Sequence, residues 1–277
     1  MLEIVTRNQF KPVSLELEKV KRGHSLAETA TKISLITVCY NRKNTIRKAI
    51  ESVLSQDYSN IEYIVVDGAS TDSTLSVVNE YKNQISKIIS EPDNGMYEAI
   101  NKGIKACTGD IIGLVHSDDF LYSCNTISKI ATAMQLSNCD LLYGNGSFFK
   151  PDQPEKTVRT WIGGPYSKNK VKWGWLPLHP TVYIRKKCFE RLGLYDESYQ
   201  IAGDSELLVR YFYRGNLKVF YLNDYIINVS MGGKSTCLKS KGKTWAEDLR
   251  HYRNQGFCAP IALACKILRK VPQYLIN

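Results

Sequence analysis

The sequence predicts an α/β fold built on a doubly wound, mainly parallel sheet, and three observations carry that prediction. From Ile33 onward, short apolar runs rich in β-branched residues alternate with amphipathic helical stripes. The runs lead into polar, mostly acidic residues. No linker-like Pro/Ser/Gly stretch interrupts the alternation. Strands separated by helices of this length imply βαβ crossovers, whose ligands bind outside the carboxyl ends of the strands.

The elements follow in order. Ile33–Cys39 is a strand, and Ile46, Ala49, Ile50, Val53 and Leu54 then recur with the spacing of one helix face. Tyr63–Val66 is a second strand ending at Asp67, followed by a helix from Asp72 with Leu75, Val78 and Tyr81 inward. Ile85–Ile89 is a third strand, and Tyr97, Ile100, Ile104 and Cys107 stripe the next helix. Ile111–Val115 is a fourth, ending in His116-Ser117-Asp118-Asp119. Beyond it, Leu141–Phe149 and Thr157–Trp161 read as strands flanking a Pro/Asp turn, and Val182–Arg185 as another. Asp204–Tyr213 reads as a helix, and Leu217–Leu222 and Ile226–Val229 as two short strands. The expected organisation is an N-terminal extension (1–32), one α/β domain (33–236) and a basic helical tail (237–277).

Composition narrows the class. A chain of 277 residues with 43% hydrophobic side chains buries a sizeable core, and 17 Tyr, 8 Phe and 4 Trp argue against general disorder. No apolar run reaches the roughly 18 to 20 residues of a bilayer span, and no apolar segment marks a secretory signal. A cytoplasmic protein is expected. Eight cysteines form no CxxC pair, so they read as free thiols rather than a zinc cluster.

The formal charge is +10, and from Lys234 onward nine Lys/Arg face two acids. The stretch PIALACKILRKVPQYLI interleaves apolar residues with Lys266, Arg269 and Lys270. It has two readings: a helix in peripheral contact with an anionic membrane, on its inner face, or a plain packed helix. Nucleic acid is disfavoured, because the basic residues do not alternate with aromatics.

Four consecutive strands deliver Tyr40-Asn41, Asp67-Gly68, Asp93-Asn94-Gly95 and Asp118-Asp119 to one edge. A single such residue is a cap or turn former; four together mark a site. No GxxxxGK[ST] or GxGxxG loop is present to cradle phosphate. A bound nucleotide would therefore need a divalent cation, and Asp118-Asp119 offers hard oxygen ligands for Mn²⁺ or Mg²⁺. Tyr40 offers a ring to stack on a base, and Asp67 an acceptor-only carboxylate for its edge. His116, His179, Trp173, Trp175 and Gly232-Gly233-Lys234 have weaker claims, each with a structural reading beside the functional one.

The runs ITVCYNRKNTIRKAIESVLSQDYSNIEYIVVDGASTDST, EPDNGMYEAINKG and GDIIGLVHSDD resemble family 2 glycosyltransferases of the GT-A fold. The segments LHPTVYIRKKCFERLGLYDES, AGDSELLVRY and SMGGKST resemble bacterial members that build surface polysaccharides, of the colanic-acid type. The resemblance implies inverting transfer of a sugar, usually from a UDP-linked donor, to a hydroxyl of a saccharide or lipid-linked saccharide acceptor. It assigns Tyr40 and Asp67 to the uracil, Asp118 to the ribose and Asp119 to the metal; the same edge makes Asn41 and Asp93 candidate nucleotide-sugar contacts. Asp204 is the implied general base, with Glu206 as fallback, because many members carry Glu-Asp where this chain has Gly203-Asp204. Two other enzyme classes fit poorly. A nucleotidyltransferase needs a Gly-rich basic loop after the first strand, and a DxDxT phosphatase a second Asp after Asp67. A non-catalytic sugar-nucleotide-binding partner of an assembly complex is the remaining alternative.

Overall fold

The structure, a computed structural model, describes residues 31–232 and 241–269. Strand β1 (Ile33–Cys39) is buried along its whole length. Ile33, Leu35 and Cys39 enter one apolar cluster and Ile36 and Val38 the other, the period-2 alternation of a strand covered on both faces. Helix α1 (Ile46–Leu54), β2 (Ile61–Asp67), α2 (Thr74–Asn79), β3 (Lys87–Ser90), α3 (Met96–Ala106) and β4 (Ile111–Leu114) follow. Their strands pair in parallel in the order β3-β2-β1-β4. The chain thus builds outward from β1 and then returns to its other side. That reversal opens a crevice between the carboxyl ends of β1 and β4, where open α/β sheets bind ligands.

The second half comprises β5 (Phe120–Leu121), α4 (Thr126–Ser137), β6 (Leu141–Lys150), β7 (Gln153–Trp161), α5 (Lys168–Lys172), a 3-10 turn at His179–Thr181, β8 (Tyr183–Arg185) and α6 (Lys186–Leu192). Then come α7 (Gly203–Val209), which runs on as a π-helical turn at Arg210–Arg214, and β9 (Val219–Ser230). The sheet continues β4-β8-β6-β9-β5, with β7 on the flank of β6. Because β8 is antiparallel to β4 and β6, strands β6 and β9 run with β1–β4, so six of the nine strands share one direction. Helices α1 and α4 cover one face, and α3 and α7 the other.

Several expectations change. The two short strands at Leu217–Leu222 and Ile226–Val229 are one strand, β9. Asn223 and Asp224 look like a turn in the sequence, but Asn145 Nδ2 donates to Asn223 Oδ1 and Lys129 pairs with Asp224 at 2.7 Å. A register shift between Tyr143 and Gly146 absorbs the irregularity. Strand β7 starts earlier than expected, at Gln153, and α4, α5, α6 and β5 were not anticipated.

Among the described residues the basic tail contains two helices, α8 (Lys241–Asn254) and α9 (Ala259–Leu268). Tyr252, Ala259 and Ala262 enter the core cluster on the α3 side, so the inner side of this hairpin is packed. Of the extension, residues 1–30 lie outside the described residues, as does the expected boundary at 236/237. Cys39, Cys107, Cys139 and Cys188 are buried free thiols, while Cys124 and Cys258 are exposed.

Candidate active site

The loops after β1 and β2 are stitched together. Asn41, in the left-handed region with φ of 54°, accepts the amide N–H of Thr71 at 2.9 Å on its side-chain oxygen. Its own amide donates to the Ser70 hydroxyl at 2.9 Å. Asp67 is fully buried, and its carboxylate accepts the hydroxyls of Ser70 and Ser90, the Ser70 amide and the Cys39 thiol. A carboxylate has about four lone-pair sites, and these four donors fill them. Asp67 and Asn41 therefore fix the loop, while Tyr40 stands 57% exposed beside it with its ring accessible. Asp93 lies directly over this loop: a Cβ at Gly68 would meet its Oδ2 at 2.3 Å. Only glycine permits that approach.

Across the crevice, β4 gives way to a tight turn in which the Asp119 amide donates to the His116 carbonyl at 3.0 Å. Asp119 is buried and Asp118 half-buried. One Asp119 oxygen accepts the Ser230 amide at 2.9 Å, which ties the site to the end of β9. Burial and the neighbouring Asp118 charge hold the Asp119 carboxyl well above the usual carboxylate range, against the pull of that amide. A hard divalent cation would relieve both effects, so the residues present fit one. Among the described residues no cluster of three or more His, Cys, Asp or Glu side chains is arranged to hold a metal. The chain thus offers this carboxylate pair, and further ligands would come from phosphate oxygens and water, the habit of Mg²⁺-type sites. Of the Gly232-Gly233-Lys234 segment, Gly233 and Lys234 lie outside the described residues.

Asp204 sits at the start of α7, and the two candidate acids there have different surroundings. Glu206 is paired in bidentate fashion with Arg210, at 2.9 Å for both contacts. Arg210 in turn holds the carbonyls of Gly193 and Leu194. Glu206 is thus a strut, while Asp204 remains half-buried with the Ser205 amide on one oxygen at 2.8 Å. The missing acid before Asp204 also has a cause. A Cβ at Gly203 would meet the Tyr97 ring at 2.7 Å. The Tyr97 hydroxyl accepts the amides of Gly203 at 2.9 Å and Asp204 at 3.3 Å and donates to the Ile201 carbonyl at 2.7 Å.

Tyr97 is one of two residues that sequence reasoning did not assign to the site. The other is Glu247 of α8, whose carboxylate accepts the amides of Gln200 and Ile201 at 3.0 Å and Ala202 at 2.8 Å. A helix start leaves its first amides without intrahelical partners, and α7 has no side-chain cap of its own. Tyr97 and Glu247 supply that cap from distant parts of the chain. No local signal in the sequence marks either one.

Between the aspartates and Asp204 lie two histidines. The His116 and His179 rings are 5.7 Å apart, and His179 Nε2 shares a hydrogen bond with the Tyr195 hydroxyl at 2.7 Å. Burial lowers the His179 pKa to about 4, against the charge of Asp204. Burial lowers that of His116 as well, and both Asp118 and Asp204 oppose it. The imidazoles are therefore neutral near pH 7, and His116 senses both acids. Trp175 is buried against Tyr143 and Phe212, whereas Trp173 is exposed.

The sequence model of the family described as glycosyl transferase family 2 matches residues 34–195. The chain is 25% identical over 217 residues to a "PGL/p-HBAD biosynthesis glycosyltransferase" of Mycobacterium bovis, covering 76% of this chain and 82% of the relative. It is 31% identical over 196 residues to an uncharacterized glycosyltransferase of Rickettsia typhi, covering 65% and 58%. Among solved structures, S. aureus TarS 1-349 in complex with UDP-GlcNAc is similar with TM-score 0.62 and 20% identity, over 79% of this chain and 65% of that one. The mannosyltransferase PcManGT from Pyrobaculum calidifontis, in complex with GDP-Man and Mn²⁺, is similar with TM-score 0.60 and 15% identity, over 95% and 83%. These two likenesses are of fold, the GT-A fold with its curled, mainly parallel sheet.

Proposed function

The chain belongs to glycosyl transferase family 2, and from that premise we propose that it moves a hexose or N-acetylhexosamine, with inversion, from a nucleotide sugar to a saccharide or lipid-linked saccharide hydroxyl. The observation that carries this reading is one crevice flanked by the buried Asp119, the half-buried Asp118 and Asp204, the last two both acting on His116, with Glu206 already committed to Arg210. The donor is most simply UDP-linked. Two proteins of the same fold hold UDP-GlcNAc and GDP-Man, the latter with Mn²⁺.

In this reading Tyr40 stacks on the base, and Asn41 and Asp67 hold the loop that presents it. Asp93 and Asp118 face the ribose and the sugar side of the donor. When bound, a cation held by Asp119 supplies charge neutralisation for the diphosphate. Asp204 removes the proton from the acceptor hydroxyl as its oxygen attacks the anomeric carbon. The bond to the diphosphate breaks on the opposite face, and the configuration inverts. Bacterial surface polysaccharide is the acceptor class this implies, and a peripheral membrane contact would bring a lipid-linked acceptor within reach.

Nucleotide release from a panel of UDP- and GDP-sugars, with Mn²⁺, Mg²⁺ or EDTA, tests the reading. One donor is expected to turn over, with activity lost in EDTA and in Asp119→Ala. Asp204→Asn is expected to lose about 10²- to 10⁴-fold in transfer while still binding UDP. Loss of UDP binding in that variant removes Asp204 as base. Donor binding without turnover under any condition favours the non-catalytic alternative.

A further inference from the structure

Helix α9 has its polarity reversed. Lys266 is the one charged side chain between Ala259 and Leu268, and it points into the protein, donating to Asp248 at 2.7 Å and to the Ser205 hydroxyl at 2.9 Å. The positions left exposed are Pro260, Ile261, Ala264, Ile267 and Leu268, all apolar. An ordinary surface helix shows the opposite arrangement. Trp173 stands beside this helix, because the adjoining Gly174 packs directly on α9: a Cβ there would lie 2.3 Å from the Ala262 carbonyl. Trp173 is 51% exposed and Leu268 66%. A contiguous apolar face of this kind marks an interaction surface rather than scattered surface hydrophobes.

The charge around it selects the partner. Both acids of the hairpin are turned inward, Glu247 onto three amides and Asp248 onto Lys266 and His251. No exposed carboxylate remains on α8 or α9, while Lys168, Lys172, Arg253 and Arg269 are exposed. A second copy of this chain, seated two-fold on the same face, would bring like charges together. An anionic lipid surface complements both features, taking the apolar side chains among its acyl chains and the cations on its phosphates. We propose that the outward face of α9, with Trp173, is the surface by which this protein seats on an anionic membrane. The proposal gives a place to the membrane contact of the preceding reading and rests on that reading only for its purpose; the binding is measured apart from turnover.

The test is co-sedimentation of the full chain with phosphatidylcholine vesicles, with and without about 30 mol% phosphatidylglycerol. Binding is expected to be about tenfold or more stronger to the anionic vesicles and to weaken with salt. The double variant Ile261→Asp, Leu268→Asp is expected to reduce binding about tenfold or more. Its donor turnover in solution should stay unchanged, and the milder pair Ile261→Ser, Leu268→Ser guards against a folding effect. Absence of binding to anionic vesicles at low salt, or equal binding by both variants, overturns the proposal. A dimer in solution that the same variants dissociate assigns the face to a second copy instead. Vesicle binding that appears only after residues 271–277 are removed assigns it to the chain's own end.

Discussion

Two buried carboxylates sit at opposite ends of the same parallel sheet and are treated in opposite ways. Glu62, near the start of β2, accepts the Ser34 hydroxyl, the Thr108 amide and hydroxyl, and Lys32. Burial alone would raise its pKa, but these donors outweigh it and bring it down to about 2. Asp119, past the end of β4, is buried still more deeply, and its carboxyl is pushed well up by burial and by Asp118, with one backbone amide against them. Burial alone therefore does not decide what a carboxylate does; the donors and charges gathered around it count as much. Glu62 ties the start of the sheet together, whereas Asp119 is left with a charge that one backbone amide does not balance.

Removing the satisfied charge is the largest expected effect. The fall in the Glu62 pKa from 4.5 to about 2 sets an upper bound of about 3 kcal/mol of stability, which solvent screening reduces. Because the folded-state pKa is depressed, this contribution is complete above pH 4.5 and is lost as the pH falls toward 2. Glu62→Gln should lower stability at neutral pH by about 2 to 3 kcal/mol in urea titration and flatten the acid limb. An unchanged acid limb would place the network elsewhere.

Glu247 breaks the simple geography, since it is a fully satisfied carboxylate beside the candidate active site. Glu247→Gln keeps the shape but replaces one acceptor oxygen with a donor, opposite amides that also donate. A stability loss of about 1 to 3 kcal/mol is expected. Transfer should also fall about 10- to 100-fold, because Asp204 is displaced, while UDP affinity changes little. Equal losses in transfer and UDP affinity would make Glu247 a purely structural strut.

Asp119→Asn sharpens the contrast with an effect of opposite sign. A raised folded-state pKa means that the ionised form destabilises the protein as the pH rises through it. Without metal, the variant should therefore be neutral to about 1 kcal/mol more stable than wild type at pH 7, by the same titration. Mn²⁺ should raise the melting temperature of wild type and leave the variant unmoved.

The same distinction explains what the sequence made legible. The polar residues past the carboxyl ends of β1 to β4 were readable because strand periodicity and the residues that end each run are local signals. Asp204 was named ahead of Glu206 only through family resemblance, and the Arg210 pair that occupies Glu206 was not readable. Glu247 and Tyr97 were not readable at all, since they meet the start of α7 across separations of 45 and 106 residues. For the same reason β9 looked like two strands: Asn223 and Asp224 are polar in the sequence, and their partners Asn145 and Lys129 come from other elements.

His179 gives the smallest and most selective test, because its pH window is its own. Burial holds its imidazole neutral with a pKa of about 4, while the unfolded chain titrates near 6.5. Between these values the unfolded state binds more protons, so native stability falls as the pH drops from 6.5 toward 4. The Glu62 contribution fades only below 4.5, so the two ends of the sheet lose stability in largely separate windows. His179→Gln keeps a partner for the Tyr195 hydroxyl and removes the proton site. It should flatten the decline in melting temperature over the upper window by a few degrees and leave the lower one intact, as read by thermal scans at half-unit pH steps. A decline that persists unchanged in the variant would transfer the upper window to His116, which is half-buried beside the same acids and senses both Asp118 and Asp204.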